Sequence, residues 1–191
     1  MEIKVPVFET RRLILRPITL EMAADYEKYF VDYEIISHLS AIVPWPYPKG
    51  GVVDYLKSII LPAQGVDRWA WGIFLKFNSD ELIGCIDIWK KGSPENRGFW
   101  LARNLWGKGI MTEAVGPVMD FAFESLGFDK MVFTNAVGNA RSRRVKEKTG
   151  ARLIAVAPMK FVNPQYTEHE VWELTKDEWL KRKASIKPRY I

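Results

Sequence analysis

The alternation of apolar and polar residues predicts one strand near the start of the chain and then two helices. In the segment ETRRLILRPI, Leu13 and Leu15 alternate with arginines, a period of two that is typical of a strand. Apolar residues recur at helical spacing in TLEMAADYEKYF, where Thr19 is positioned to cap the helix, and again from Val52 to Ile60. We expect Pro62 to end the second helix.

The middle of the chain predicts an antiparallel meander followed by a long helix. The segments WAWGIFLKF and ELIGCIDIW flank the turn NSD as a hairpin, and RGFWLA follows the turn KKGSPEN as a third strand. Helical spacing then extends from about Lys108 to Ser125 and should end near Gly127. Pro117 is expected to bend this helix because proline removes one backbone donor.

The last third of the chain predicts more strands around one short helix. KMVFTNAV, ARLIAVAP and HEVWELT are typical of strands, and NARSRRVKEKTG is a helix that should end at Gly150. Thr175 and Glu178 have the spacing of a capping box for a terminal helix. Because 191 residues suit one core, we expect a single domain over 1–191, with a core at about 9–180 and a basic tail at 181–191.

Composition indicates a soluble globular protein with no structural metal. The apolar fraction is 48% and the charged fraction 27%, and no apolar run approaches the ~20 residues of a membrane span. The start of the chain lacks the apolar middle of a signal peptide, so we expect a cytoplasmic protein without a membrane partner. Cys85 is the sole cysteine, which excludes an internal disulfide and a cysteine-based metal site and favours a packing role.

The net charge of +5 mildly favours anionic ligands such as a polyphosphate. Part of the excess lies in the tail, at Lys187, Arg189 and 181–183, which we interpret as a solvated helix end. Nucleic acid is therefore not expected as a partner.

The loop Asn104–Thr112 carries the most informative pattern. In NLWGKGIMT, Gly107 and Gly109 stand where a strand gives way to a helix. Glycines allow close backbone approach to a ligand, and the unpaired N–H groups and dipole of a helix N-terminus attract phosphate. The spacing fits neither a P-loop nor a dinucleotide fingerprint. By itself the pattern is equally consistent with glycines that only shape a turn.

Several motifs in order resemble the GNAT acetyltransferases, in particular the branch of the ribosomal-protein N-terminal acetyltransferases. Gly107 and Gly109 match the pyrophosphate loop of the family, and ThrGluAla at 112–114 is typical of the branch. The branch often has an Asn, then a Ser, then GluLys and a Gly, and this chain is similar there, with Asn139, Ser142, GluLys at 147–148 and Gly150. ETRRLILRPIT and PWPY at 44–47 also look like the branch, so the likeness covers about 9–180.

This resemblance implies a mixed α/β fold in which a mostly antiparallel central sheet, flanked by helices, has two splayed strands. It implies acetyl-CoA as the cosubstrate, with the pyrophosphate on the N–H groups of 106–111 and RGFWLA beside the pantetheine arm. The expected cofactor-binding residues are Trp100, Leu101, Ala102, Trp106, Gly107, Lys108, Gly109, Ile110, Met111, Thr112, Asn139 and Ser142. No metal is expected.

Acetyl transfer to an amine requires a general base, a donor to the carbonyl oxygen and an acid for the leaving thiolate. A backbone N–H at Leu101 or Ala102 can serve as the donor. Many GNAT enzymes use a tyrosine as the acid, but Lys146 stands at that position, so Ser142 is the expected substitute.

The base of the branch is frequently a glutamate, and Asn96 stands at that position. Asparagine cannot accept a proton, so the adjacent Glu95 is the expected base. Asp87, Glu168 and His169 are alternatives, and an amine that arrives partly deprotonated would need no base.

The acceptor is expected to be a primary amine that attacks directly in a ternary complex. It would enter over two loops in which Trp45, Tyr47 and Tyr166 offer flat surfaces. The sequence does not choose among a peptide N-terminus, a polyamine, an antibiotic amine and an amino acid, nor between a monomer and a homodimer. Because Lys146 and Asn96 replace the tyrosine and the glutamate of the family, the sequence also fits an alternative, a non-catalytic acyl-CoA-binding sensor or structural domain.

Overall fold

The computed structural model describes residues 3–91 and 94–185, so Lys187 and Arg189 of the basic tail lie outside the described residues. The strands are β1 Phe8–Glu9, β2 Leu13–Pro17, β3 Arg68–Leu75, β4 Asn78–Trp89, β5 Arg97–Leu101, β6 Lys130–Ala136, β7 Arg152–Pro158 and β8 Glu168–Thr175. The α-helices are α1 Ala23–Phe30, α2 Tyr33–Ile36, α3 Gly51–Tyr55, α4 Leu61–Ala63, α5 Ile110–Asp120, α6 Ala140–Thr149 and α7 Lys176–Ser185.

The strands form two antiparallel sheets, which confirms the predicted mixed α/β class. The larger sheet has the order β1-β2-β3-β4-β5, and the smaller has the order β6-β8-β7. The meander β3-β4-β5 is as predicted, but its first turn is not NSD. Leu75 pairs with Asn78, so Lys76 and Phe77 make the turn. The Lys76 N–H donates to Arg12 O (2.9 Å), so hydrogen bonding between β3 and the chain before β2 continues one residue beyond Leu75.

Both proline-containing helices continue through their prolines. Pro62 lies inside α4, and the helix ends one residue later at Ala63. A turn of π-helix, Leu56–Ile60, joins α3 to α4, and another, Phe121–Ser125, follows α5. The irregularity in the long helix thus lies one turn after Pro117, where Leu126 N–H donates to Phe121 O (3.0 Å).

Local end signals are confirmed at α6 and α7. Gly150 ends α6 with φ of 86°, a left-handed conformation that favours glycine. Thr175 and Glu178 form the reciprocal capping box, in which Thr175 N–H donates to Glu178 Oε2 (2.9 Å) and Glu178 N–H donates to Thr175 Oγ1 (3.2 Å). Thr19 precedes its helix without a capping hydrogen bond from its side chain to the backbone, and a 3₁₀ turn, Leu20–Met22, opens that helix.

Two hydrophobic cores cover the two faces of the larger sheet. One joins its inner residues to α5, α7 and the smaller sheet, and the other packs α1, α2 and α3 against the opposite face. Alternation along β5 places Leu101 in the first core and Trp100 in the second. Cys85 is buried in the second core, and burial raises the pKa of its thiol, in keeping with a packing role.

Candidate active site

The strands β5 and β6 lie side by side at one end and separate toward the other. They belong to different sheets, and Asn96 joins them where β5 begins: its N–H donates to Val132 O (2.8 Å), and Val132 N–H donates to its Oδ1 (2.9 Å). A cavity of about 630 Å³ opens in the gap, walled by residues of both strands and of α5 and α6. This is the splay that the family resemblance implied.

The pairing of β4 with β5 determines which N–H groups face this cleft. Trp89 N–H donates to Asn96 O (3.1 Å), and Ala102 N–H donates to Ile83 O (2.8 Å). Because bonding alternates along an antiparallel strand, the N–H groups of Phe99 and Leu101 point away from β4 into the gap. Of the two expected donors to the carbonyl oxygen, the Ala102 N–H is therefore already engaged, and Leu101 faces the cleft.

The loop before α5 has an open concave backbone. Gly107 and Gly109 have φ of 75° and 73°, and a Cβ at Gly107 would meet no heavy atom within 4 Å. Gly109 precedes α5 without any side-chain cap, so the first N–H groups of the helix remain open to a ligand. The positive φ values show that the turn itself favours glycine, while phosphate binding by this loop stays a prediction.

Arg12 holds this loop in place. Its Nη1 donates to Lys108 O (3.0 Å), and its Nε forms an ion pair with Glu113 Oε2 (2.7 Å) in the first turn of α5. The Lys108 side chain is exposed and is not part of the cavity wall. Trp106 Nε1 donates to Leu101 O (2.8 Å), and the Arg141 guanidinium stacks 3.9 Å above the Trp106 ring, so loop and α6 meet at the cavity mouth.

The first turns of α6 place a polar pair in the cavity wall. Asn139 Oδ1 accepts from Ser142 N–H (3.2 Å) and so caps the helix. Lys146 Nζ donates to Ser142 Oγ (2.8 Å), although Lys146 is only 1% exposed. Burial, and next the charge of Arg97, hold the pKa of Lys146 well below its usual value. Lys146 stands where many GNAT enzymes have a tyrosine, and its spacing of four residues from Ser142 on a helix predicts that the two side chains are neighbours.

The carboxylates near the cavity have distinct surroundings. Glu95 lines the wall, half-buried, and accepts a hydrogen bond from Thr134 Oγ1. Asp87 is buried in an ion pair with Arg68 and, like Glu168 and His169, is not part of this wall. Asn96 ties the sheets together, which gives its amide a structural task in place of proton transfer.

The aromatic residues expected to meet the acceptor lie at different distances from the cavity. Tyr166 stacks on His38 (4.9 Å between ring centroids), which lines the wall, and shares a hydrogen bond with its Nε2 (3.1 Å). Trp45 packs on Tyr33, and Tyr47 packs on Phe30, both away from the wall. No sequence pattern identified His38 as a site residue, because Tyr166, which contacts it, is 128 positions away along the chain.

Most of the residues that the resemblance assigned to the cofactor share this cavity. The members in its wall are Trp100, Leu101, Trp106, Gly107, Gly109, Ile110, Met111, Thr112, Asn139 and Ser142. Ala102 and Lys108 are outside the wall. Among residues 3–91 and 94–185, no group of three or more His, Cys, Asp or Glu side chains is arranged to hold a metal ion. No helix in that part of the chain is both long and apolar enough to cross a bilayer.

Comparison with known proteins identifies the family. Residues 12–152 match the model described as the acetyltransferase (GNAT) domain, so the chain belongs to this family. A Bacillus subtilis (strain 168) protein provisionally named ribosomal N-acetyltransferase YdaF is 35% identical over 83 residues, which cover 43% of this chain and 45% of YdaF. The uncharacterized N-acetyltransferase p20 of Bacillus licheniformis is 30% identical over 127 residues, 64% of this chain and 68% of p20. The chain thus spans about half the length of YdaF.

Solved structures show the same fold. RimJ of Mycobacterium smegmatis, in complex with CoA-disulfide, superposes with a TM-score of 0.75 at 20% identity, covering 94% of this chain and 93% of that one. The ribosomal-protein-S5-alanine acetyltransferase of Vibrio fischeri superposes with a TM-score of 0.75 at 18% identity, covering 91% and 98%. The family match confirms the resemblance to the GNAT acetyltransferases, and the similarity to YdaF supports the branch.

Proposed function

We propose that this chain transfers the acetyl group of acetyl-CoA to a primary amine, a peptide N-terminus or a small-molecule amine, by direct attack in a ternary complex. One observation carries the proposal. The cleft between β5 and β6 has an open helix N-terminus at one end and the pair Ser142–Lys146 with Glu95 in its wall. A long thioester with an anionic end fits such a cleft.

The cradle at Gly107 and Gly109 would hold the pyrophosphate. The N–H groups of Ile110, Met111 and Thr112 begin α5, and the helix dipole adds about half a positive charge at that end. The open space beside Gly107 leaves room for a phosphate to approach the backbone. Asn139, which caps α6, and Trp106, which bridges to Leu101 O, would form the walls farther along the cleft.

The thioester supplies an acyl carbon that an amine can attack, with a carbonyl oxygen and a sulfur that both gain negative charge. The Leu101 N–H, directed into the gap, would donate to that oxygen. Glu95 would take the proton from the amine. The carbon–nitrogen bond forms as the carbon–sulfur bond breaks.

Ser142 would return a proton to the sulfur. Its Oγ already accepts from Lys146 Nζ, and an ammonium is a pure donor, so the hydroxyl proton is available for a group in the cavity. Lys146 would then replace the proton that Ser142 gives up. One proton leaves the amine, one reaches the sulfur, and the charges balance.

The first test is calorimetric titration of acetyl-CoA into the wild type and Gly107→Glu. The wild type should bind saturably, and the variant should lose binding because a carboxylate would occupy the phosphate cradle. Gly127→Glu is the matched control: Gly127 has φ of 72° and the same open surroundings, but it lies beyond the far end of α5. A folded wild type that does not bind acetyl-CoA would overturn the proposal, and binding without acetylation of any amine in a panel would favour a non-catalytic sensor.

A further inference from the structure

The cavity between β5 and β6 extends to the face of β5 that α2 covers. Alternation along β5 places Gly98 on the same face as Trp100, which packs in the second core. Both residues line the cavity, and so do Ile35 of α2 and Leu39 in the segment after it. The helix α5, whose N-terminus forms the phosphate cradle, packs on the opposite face of the sheet. The cavity thus has one side for the cradle and another side under α2.

Two chain segments cover the side under α2, and we call them together the roof: residues 35–40 and 159–161. Both segments contribute to the wall of the cavity. Backbone hydrogen bonds join them, from Ala41 N–H to Lys160 O (2.9 Å), from Val162 N–H to Leu39 O (3.0 Å) and from Asn163 N–H to Ser37 O (3.1 Å). The roof is therefore one connected structure and not two independent loops.

The side chains that line this part of the cavity are largely apolar. The roof contributes an isoleucine, a leucine, a methionine and a phenylalanine, and β4 and β5 each contribute a tryptophan. This set, which we call the apolar pocket, consists of Ile35, Leu39, Trp89, Trp100, Met159 and Phe161. Leu39, Trp89 and Met159 are only half-buried, so they keep surface that a ligand can contact.

The histidine of the roof has hydrogen-bond partners within the protein. His38 Nδ1 lies 3.0 Å from Glu34 O, and its Nε2 lies 3.1 Å from Tyr166 Oη. A carbonyl oxygen only accepts, so Nδ1 carries the proton of the neutral ring and Nε2 accepts from the tyrosine. Both ring nitrogens are thus engaged, and the ring does not require a polar ligand.

The charges of the cavity wall do not suit a polycationic amine. In the part of the chain that the structure describes, the carboxylates of the wall are Glu34 and Glu95, and Glu95 already accepts from Thr134. The basic residues of the wall outnumber them and are Arg97, Arg141, Arg144, Lys146 and Lys148. Because like charges repel more strongly in a partly desolvated cavity, several ammonium groups would be unfavourable there.

The apolar pocket lies next to the proposed position of the acyl group. Trp100 directly precedes Leu101, whose N–H would donate to the carbonyl oxygen, and adjacent Cα atoms are about 3.8 Å apart. An amine that attacks the acyl carbon would therefore have its substituent within reach of the pocket.

We propose that the apolar pocket binds the substituent of the acceptor, and that the acceptor is a primary amine carrying one uncharged, branched or aromatic apolar group. The inference rests on the proposed function, because the occupant is the acceptor of the acetyl group. Transfer of an apolar substituent from water to these side chains is favourable, whereas a polar substituent would lose its hydrogen bonds to water. Polyamines and aminoglycosides are thereby disfavoured as acceptors.

Two pairs of isosteric amines test the pocket and distinguish a free amine from a peptide N-terminus. 3-Methylbutylamine and β-alanine amide carry an isobutyl group and a carboxamidomethyl group, and leucyl-glycyl-glycine and asparaginyl-glycyl-glycine carry the same two groups. With acetyl-CoA, the wild type should have a kcat/KM about ten- to a hundredfold higher for the apolar member of at least one pair. Spermidine and kanamycin should be poorer acceptors than that apolar amine. Calorimetric titration of the same amines into the protein saturated with CoA measures their binding without turnover.

Leu39→Asn and Met159→Gln each introduce a polar group of similar shape into one segment of the roof. Each should lower the preference for the apolar amine by about tenfold, because the new amide would face an apolar ligand without a hydrogen-bond partner. Since the two residues lie on different segments, either variant tests the pocket if the other does not fold. Leu153→Asn is the matched control: Leu153 is exposed on β7 and outside the cavity wall, so the preference should persist.

The outcomes separate this inference from the proposed function. Turnover with acetyl-CoA that favours neither apolar amine, or that is fastest with spermidine or kanamycin, would overturn the apolar acceptor and leave acetyl transfer intact. A preference that is unchanged in both folded roof variants would do the same. Selective binding of an apolar amine to the CoA complex without any turnover would support the pocket and contradict acetyl transfer. A folded wild type that does not bind acetyl-CoA would overturn both.

Discussion

Lys146 and Ser142 show how burial changes the chemistry of an ordinary helix pair. Residues four apart on a helix face are neighbours, so the sequence already placed these two side chains together. The tertiary structure adds the burial of Lys146 and the proximity of Arg97, which together destabilise the ammonium and make its proton easier to give up. A lysine that would be a solvated charge on most helices therefore becomes a candidate proton source.

Ser142→Ala and Lys146→Met should each lower kcat by about a hundredfold, the lower range of general acid catalysis, with acetyl-CoA affinity nearly unchanged. If the two residues act as one unit, the double variant should be no slower than the worse single variant. Steady-state kinetics and calorimetry measure the two quantities. Lys148→Met, on the same helix and also in the cavity wall but exposed, is the control. Unchanged turnover in Ser142→Ala would remove its assignment as the acid.

At the scale of elements, the site depends on how β5 and β6 meet and part. Asn96 bonds to Val132 through both backbone and side chain, and its Nδ2 donates to Trp89 O (3.3 Å). One side chain thus connects β4, β5 and β6 at the closed end of the cleft. The same residue that departs from the expected catalytic glutamate stabilises the cleft geometry.

Asn96→Ala should lower the free energy of unfolding by about 1–3 kcal/mol, because it leaves the Val132 N–H without its partner. It should also weaken acetyl-CoA binding, since the strands that wall the cleft lose a tie. Urea unfolding and calorimetry test the two effects. Asn163→Ala removes a local bond to Gln165 N–H in an exposed loop and should change neither by more than about 0.5 kcal/mol. Equal losses in the two variants would contradict this role.

At the scale of the whole molecule, the two cores accommodate most of the large apolar side chains, while the cavity between the sheets contains buried charge. Arg97 and Lys146 lie in its wall, and burial lowers the pKa of both. The unfolded chain binds protons on these groups more tightly than the folded chain does. The folded state is therefore less stable at a pH at which Lys146 is buried as an ammonium, and its stability increases as the pH rises.

The sign of this linkage predicts a pH dependence of global stability. Below the lowered folded pKa of Lys146, the ammonium is buried at a cost; between that pKa and its unfolded value near 10.5, stability rises with pH. Lys146→Met should remove this contribution, so the difference in unfolding free energy between variant and wild type should be largest at low pH and shrink as the pH rises. Urea unfolding between pH 6 and pH 10 measures it. A difference independent of pH would contradict the lowered pKa.

The sequence by itself determined most of the elements, the family and the position of the glycine loop, since these depend on local spacing. The period of two at Leu13 and Leu15, the capping box at Thr175 and Glu178, and the glycine at the end of α6 are short-range patterns, and each had the expected outcome. The turn of the first hairpin lies at Lys76 and Phe77 and not at NSD, because Leu75 pairs with Asn78 across β3 and β4.

Only the tertiary structure decided what the side chains around the cleft can do. That Ala102 N–H is engaged while Leu101 N–H faces the gap follows from the register with β4. That Asn96 joins two sheets follows from a residue 36 positions away. That Nε and Nη2 of Arg97 are buried with no hydrogen-bond partner, among residues 3–91 and 94–185, also depends on packing against distant residues such as Met119. Such properties depend on distances through space and on exclusion of water, and neither is encoded in the spacing of residues along the chain.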